Sequence, residues 1–111
     1  MSDLVIEPVE KTVTATFDGE VIATSQNALN LTEGAFKPVI YFPKKDIRME
    51  LLTPTDKVTH CPRKGDASYW TIALNGREAE NVAWAYEDPT KEGAAALKGH
   101  IAFYNFVVKV A

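Results

Sequence analysis

The segment from Thr59 to Asp66 carries the side chains best suited to chemistry in this sequence. It reads THCPRKGD and places the sole cysteine, Cys61, three residues before Lys64. A positive charge close to a thiol favours the thiolate and lowers its pKa, which is how cysteine nucleophiles are activated. This spacing raises the hypothesis that Cys61 is a catalytic nucleophile and Lys64 its activating cation.

A simpler interpretation of the same segment competes with that hypothesis. Free cysteine is among the most buried residue types, so Cys61 is then a small buried residue that closes a turn, with Lys64 in solvent. His60 is the nearest possible base, but adjacent residues of an extended chain point to opposite faces. We therefore expect the side chains of His60 and Cys61 to diverge.

Metal and phosphate sites have little support in the sequence. His60, Cys61 and His100 are the only histidines and cysteines, and they lack the repeated short spacings of zinc sites. Lys64 and Gly65 lack the upstream glycine and the following serine or threonine of a phosphate-binding loop. We expect no metal and no cofactor.

Large aromatic residues fall on both faces of the predicted strands. Alternation places Tyr69 opposite Trp70, and Tyr104 opposite Phe103. A sheet with aromatics on both faces either covers both or leaves one as a groove, where tyrosine hydroxyls and an indole nitrogen supply the polar groups of a small-molecule pocket. The aromatics thus indicate a binding site without identifying its ligand.

Two dipeptides predict the β-hairpins that must position these residues. Asp-Gly and Asn-Gly adopt the positive φ angles of tight hairpin turns at little cost. Asp18-Gly19 separates Thr12–Phe17 from Glu20–Thr24, and Asn75-Gly76 separates Tyr69–Leu74 from Glu80–Tyr86. In the second hairpin, period-two alternation groups Trp70, Ile72 and Leu74 on one face and Val82, Trp84 and Tyr86 on one face of the partner strand.

The other predicted elements are short. They are a buried strand over Pro38–Phe42, a helical turn over Pro43–Asp46, a strand over Ile47–Leu51, a short helix within Asp88–Leu97, and an extended segment over Ile101–Val110 that bends near Asn105. Together they predict a mainly β fold, and we expect one domain over residues 1–111.

Composition narrows the classes of function. The chain has 111 residues, with 12 basic and 15 acidic side chains and a net charge of −3. A dedicated nucleic-acid binder normally shows a concentrated basic face, so we expect no nucleic-acid partner. The first residues lack a secretory signal, and no apolar run is long enough to cross a bilayer, so we expect a cytoplasmic protein without a membrane partner.

Several segments together resemble a family of small, mostly bacterial proteins, the domain of unknown function 427 family. The resemblance runs from about Val13 to Tyr104, and Cys61–Trp70 is its most specific part. The other matching segments are Val21–Ser25, Tyr41–Pro43 with Asp46 and Arg48, Trp84–Tyr86 with Pro89, and Ile101–Tyr104.

The resemblance implies a β-tent-like fold, in which two antiparallel sheets meet at an angle. Many β-tent relatives hold zinc with paired cysteines, and Lys64 stands where the second cysteine would be, which implies a metal-free version. The resemblance also implies a ligand cleft near the Cys61–Lys64 turn. Its ligand-binding residues would be Tyr41, Asp46, Arg48, Tyr69 and Trp84.

A nucleotidyltransferase-like label accompanies the family. Such transferases need closely spaced carboxylates for magnesium and a glycine-rich approach to phosphate, and this chain has neither in recognisable form. Three functions stay open. The first is small-ligand binding in an aromatic cleft, and the second is an enzyme that uses Cys61 and Lys64 with help from Tyr41 or Asp46. The third is an interaction module whose edge strand, Phe106–Val110, pairs with a partner or a second copy.

Overall fold

The computed structural model describes residues 4–62, 64–89 and 92–111. Its ten strands are β1 (Leu4–Pro8), β2 (Val13–Phe17), β3 (Glu20–Ser25), β4 (Leu29–Glu33), β5 (Val39–Pro43), β6 (Leu52–Cys61), β7 (Gly65–Leu74), β8 (Arg77–Ala85), β9 (His100–Phe103) and β10 (Lys109–Val110). Three 3₁₀ segments join them, at Lys44–Asp46, Met49–Leu51 and Glu92–Leu97.

The strands form two antiparallel sheets. One has seven strands in the order β1-β4-β5-β9-β8-β7-β6, and the other has three in the order β10-β2-β3. An isolated bridge from Ala23 to Ile47 and a hydrogen bond from the Arg48 amide to the Ile22 carbonyl, 2.9 Å, connect β3 to the segment after β5. The predicted fold class, mainly β with two antiparallel sheets, is confirmed.

Both predicted hairpins are present. Asp18 and Gly19 have φ angles of 52° and 82°, and Asn75 and Gly76 have φ angles of 54° and 78°. These left-handed values are the ones that a tight hairpin turn needs, and asparagine, aspartate and glycine tolerate them best.

Two cores lie on opposite faces of the seven-stranded sheet. Along β5 and β7, Phe42, Trp70 and Ile72 belong to the first core, which the three-stranded sheet covers with Ala15, Phe17 and Ile22, among others. The alternate residues face the second core, whose buried members are Leu31, Tyr41, Ala67, Tyr69, Tyr86, Ala94, Leu97 and Ala102. The 3₁₀ segment Glu92–Leu97 contributes Ala94 and Leu97 and lies against β1, so it covers part of this second face.

The predicted grouping of Val82 with Trp84 and Tyr86 is wrong. Val82 packs in the first core, whereas Tyr86 is buried in the second and Trp84 packs against it. The pairing of β7 with β8 shifts register between Trp70 and Ile72, and Asn81 has a φ of 55°. An irregularity of this kind breaks the strict alternation of side chains along a strand.

The strand predicted over Ile47–Leu51 is also wrong. Met49–Leu51 forms a 3₁₀ turn, with the Leu51 amide 3.0 Å from the Arg48 carbonyl, and the strand begins at Leu52. An alternation of apolar and polar residues over only five positions does not distinguish a strand from a helical turn with some apolar side chains packed against the core. The helical turn after Pro43 is confirmed at Lys44–Asp46.

The last segments match their predictions in part. The short helix is a 3₁₀ segment over Glu92–Leu97, and Thr90 and Lys91, inside the predicted range, lie outside the described residues. The carboxyl-terminal segment bends where expected, because a turn follows Tyr104 and separates β9 from β10. The strand predicted over Phe106–Val110 is shorter than expected and pairs with β2. Within the described part of the chain, no helix has the length and apolarity to cross a membrane.

Candidate functional site

The Cys61–Lys64 segment forms the loop of the β6–β7 hairpin. Cys61 ends β6 opposite Gly65, the first residue of β7, and the Lys64 amide donates to the Cys61 carbonyl at 3.2 Å. Gly65 has a φ of 111°, a conformation that favours glycine. Arg63, which the sequence places in this loop, lies outside the described residues.

Lys64 is buried, with 7% of its surface exposed. Its Nζ lies 2.6 Å from Oε1 of Glu33 on β4 and 5.4 Å from the ring centroid of Tyr86. Burial penalises an ammonium unless an opposite charge and further polar or π groups face it, and this lysine has both. The alternative in which Lys64 lies in solvent is therefore wrong.

Cys61 is half-buried and packs against the second core. The recorded partner of the Lys64 ammonium is the Glu33 carboxylate. His60 points away as expected: its Nδ1 lies 2.8 Å from Oδ1 of Asp66, its cross-strand neighbour, and both side chains are exposed. The structure thus places the thiol beside a buried ion pair and away from the histidine.

Tyr41 and Trp84, two of the predicted ligand-binding residues, are in contact. The Trp84 indole Nε1 donates to the Tyr41 hydroxyl at 3.3 Å, and the rings meet edge-on with centroids 6.4 Å apart. Burial raises the pKa of Tyr41 well above its ordinary value, and the charge of Glu33 adds to this increase. Burial likewise raises the pKa of Tyr86, with a further contribution from Tyr41. Both phenols thus stay protonated hydrogen-bonding groups at neutral pH.

Tyr69 lies on the same face and is also buried. Its hydroxyl is 2.9 Å from Oγ1 of Thr59, and the Lys57 ammonium lies 4.7 Å from its ring centroid. Burial raises the pKa of Tyr104, and the neighbouring Tyr69 adds to this increase. Tyr41, Tyr69, Tyr86, Trp84 and Tyr104 form one network, which we call the aromatic cluster.

A cleft opens at one side of the aromatic cluster. In the described register, β5 and β9 pair at Phe42 with Ile101 and at Pro43 with His100, and their ladder ends there. Beside the unpaired part of the two strands lies a space of about 360 Å³, lined by Lys37, Pro38, Val39, Ile40, Trp84, Phe103, Tyr104, Asn105 and Val110. Its volume is in the range of small-molecule sites.

Two side chains of the aromatic cluster form one wall of the cleft. Trp84 and Tyr104 are partly exposed, and their ring centroids are 4.6 Å apart at an interplanar angle of 42°. The Tyr41 hydroxyl accepts a hydrogen bond from the Trp84 indole, and the Tyr104 ring packs between those of Trp84 and Phe106. The wall is therefore positioned by one buried hydrogen bond and by ring packing, and its aromatic rings line the cleft.

Asp46 and Arg48 lie at a different place from the other predicted site residues. Oδ2 of Asp46 accepts from the Ser25 hydroxyl at 2.6 Å, and Arg48 pairs with Glu50 at 3.2 Å and with Glu20 at 3.9 Å. Both residues border a shallow depression beside β3. The structure thus brings Tyr41, Cys61, Lys64, Tyr69 and Trp84 to one face and leaves these two residues apart.

The sequence analysis missed Glu33 and Lys37. Glu33 is 31 residues before its lysine partner, and no local pattern marks such a pair. Lys37 follows a glycine-containing turn and precedes Pro38, which is a loop signal without a functional meaning of its own. The alternation of the sequence places Tyr104 and Phe103 on opposite faces, but the cleft that both residues line is a tertiary feature.

Among the described residues, no three histidine, cysteine, aspartate or glutamate side chains are grouped so that they could hold a metal ion. Over the same residues, every fully buried side-chain nitrogen or oxygen has a hydrogen-bond partner. The polar groups behind the cleft are therefore already satisfied within the protein, and the chemistry available to a ligand is that of the cleft surface.

Fold and site together define a small β domain with an aromatic-walled cleft at a split in its larger sheet. The family described as domain of unknown function (DUF427), whose short label is NTP_transf_9, matches residues 5–111, and the chain belongs to this family. No curated protein matches the chain.

Proposed function

We propose that the protein binds a small ligand with a flat apolar ring in the cleft between β5 and β9. The observation that carries this proposal is the pair of partly exposed rings, Trp84 and Tyr104, which line the cleft, with the Trp84 indole held by the buried Tyr41 hydroxyl. Aromatic rings stack favourably on one another, with a gain of about 0.5–1.5 kcal/mol beyond the area that they bury. Walls that are fixed before binding cost little conformational entropy when the ligand arrives.

The predicted site residues have different parts in this proposal. Trp84 contacts the ligand, and Tyr41 positions its indole. Tyr69 is a neighbour of Tyr104, the other ring of the wall. Cys61 and Lys64 belong to the far part of the same face, where the buried ion pair fixes the β6–β7 loop on β4. Asp46 and Arg48 are left out, because their contacts are with β3 and its turn.

The enzyme hypothesis for Cys61 stays a prediction with less support. Activation by Lys64 requires its ammonium to face the sulfur, and its recorded ion-pair partner is Glu33. The hypothesis of a protein-interaction module that uses its edge strand also stays a prediction. It has little support, because β10 has only two residues and already pairs with β2 on one side.

Thermal-shift screening of the intact protein against a panel of small aromatic and aliphatic metabolites tests the proposal. We expect aromatic members to raise the Tm, since a ligand at one hundred times its Kd adds about 2.7 kcal/mol of stability. Binding should shift the indole N–H resonance of Trp84 in NMR spectra and leave that of Trp70, which is buried in the first core, in place.

A matched pair of variants locates the binding. Trp84→Leu should abolish the increase in Tm, whereas Phe36→Leu should keep it, because Phe36 is exposed and lies outside the lining of the cleft. If no aromatic compound raises the Tm, or if the Trp70 resonance responds in place of that of Trp84, the proposal is wrong.

A further inference from the structure

The charge around the cleft is one-sided. Among its described lining residues, Lys37 is the only one with a formal charge, and neither aspartate nor glutamate is present. This is unexpected for a protein with 15 acidic and 12 basic side chains. The only formal charge that the described lining presents is therefore positive, and it favours an anionic group on the ligand.

Lys37 also differs from the lysines whose ammonium groups are engaged. The Nζ atom of Lys44 lies 2.6 Å from Oε1 of Glu87, and that of Lys64 lies 2.6 Å from Oε1 of Glu33. Within the described part of the chain, Lys37 has neither an ion pair nor a side-chain hydrogen bond. Its charge is thus available to a ligand without the loss of an internal contact.

Few side chains of the cleft carry polar groups, and most of the others are aliphatic or aromatic. The Asn105 amide adds a neutral donor and acceptor at the rim, while Val39, Ile40, Phe103 and Val110 extend the apolar lining beyond the aromatic wall. A ligand that fits this distribution has an apolar body and one charged end.

We infer that the ligand of this cleft is an aromatic acid, whose ring packs against Trp84 and Tyr104 and whose carboxylate pairs with Lys37. This inference rests on the proposed function and adds the chemical class of the ligand. The lysine ammonium acts as a point charge on a flexible side chain. The ligand must therefore carry a negative charge, but its carboxylate can lie at more than one place along the rim.

Three probes that share the naphthalene ring system and differ in charge test the inference. They are naphthalene-2-carboxylate, naphthalene-2-carboxamide and 2-naphthylmethylammonium. Their Kd values for the intact protein are measured by calorimetry at low ionic strength, with the Trp84 indole resonance as the reporter of location. We expect the carboxylate to bind about 1.5- to 5-fold more tightly than the amide, as for an exposed ion pair, and the ammonium to bind most weakly. The preference should shrink in 0.5 M salt, where the Debye length is below about 8 Å.

Lys37→Gln should abolish the preference, so that the carboxylate and the amide bind with about equal Kd values. Lys45→Gln is the matched control, because it removes the same charge from an exposed lysine that does not line the cleft. If the amide binds as tightly as the carboxylate, or if Lys37→Gln keeps the preference, the inference is wrong while ligand binding in the cleft stands. If none of the three probes shifts the Trp84 resonance, ligand binding in the cleft is itself contradicted, and the inference is overturned with it.

Discussion

At the scale of single residues, the Lys64–Glu33 pair is the least common feature of the molecule. Lysine and glutamate side chains are rarely this buried, and here they are only 9% and 16% exposed. The pair joins the β6–β7 loop to β4, two segments of the seven-stranded sheet that are not neighbours in it. An ammonium without an opposite charge at this place would be poorly solvated, which makes Lys64 depend on Glu33.

A double-mutant cycle measures this dependence. We expect Lys64→Met and Glu33→Gln each to lower the free energy of unfolding, and the double variant to lose less than the sum, with a coupling of about 0.5–3 kcal/mol. The Lys44–Glu87 pair has the same 2.6 Å distance but is 35% and 42% exposed, so its cycle should give about 0.2–1 kcal/mol. Urea denaturation provides all of these values, and equal couplings for the two pairs would contradict the role assigned to burial.

At the scale of elements, the Asn75-Gly76 turn sets the register of β7 against β8. The φ of 78° at Gly76 lies in the left-handed region, where a side chain is strained even though no atom lies within 4 Å of the position of an added Cβ. Glycine is thus required at position 76 by the backbone conformation and not by a lack of space for a side chain.

Gly76→Ala should therefore lower the free energy of unfolding by about 1 kcal/mol. Gly93→Ala is the control, because Gly93 has equally open space and a φ outside the left-handed region, and there alanine should be neutral or stabilising by about 0.4–1 kcal/mol. Chemical denaturation of the two variants beside the wild type decides the point. A loss at Gly93 as large as that at Gly76 would remove the conformational explanation.

The elements also show what the sequence can and cannot predict. The hairpin turns at Asp18 and Asn75 carry their own conformational signal, so they were predicted with their strands. β1, β4 and most of β6 are not predicted: the partner of β1 lies far along the chain, β4 has only five residues, and the residues of β6 are largely exposed. The site divides in the same way. The Cys61–Lys64 turn is visible in the sequence, whereas the Glu33 contact and the cleft arise from packing.

At the scale of the whole molecule, the buried tyrosines connect the fold to its behaviour in alkali. Burial raises the pKa of Tyr41, Tyr86 and Tyr104 in the folded protein. In the unfolded chain a tyrosine loses its proton near pH 10, as in model peptides. Above that pH the folded state holds more protons than the unfolded state, so stability is complete below pH 10 and is lost as the pH rises.

The variant Tyr41→Phe should lose stability less steeply than the wild type as the pH is raised above 10. The expected difference in slope is about 1.4 kcal/mol per pH unit for one tyrosine that stays fully protonated in the folded state. Because this variant also lacks the acceptor for the Trp84 indole, its stability at pH 8 is lower, and the slope is the informative quantity. Parallel curves for the two proteins in urea titrations from pH 8 to 11 would show that Tyr41 ionises as readily in the folded state as in the unfolded chain.

β9 joins the rest of the larger sheet by two residue pairs on each side, Phe42–Ile101 and Pro43–His100 towards β5, and Ala83–Phe103 and Trp84–Ala102 towards β8. The strands on the two sides of β9, β1-β4-β5 and β8-β7-β6, thus form two panels with a narrow strip between them. We expect bending of the sheet to concentrate at this strip, because few ladder hydrogen bonds oppose it there. Since Phe103 of β9 lines the space beside Trp84, such a bend would change the width of the cleft.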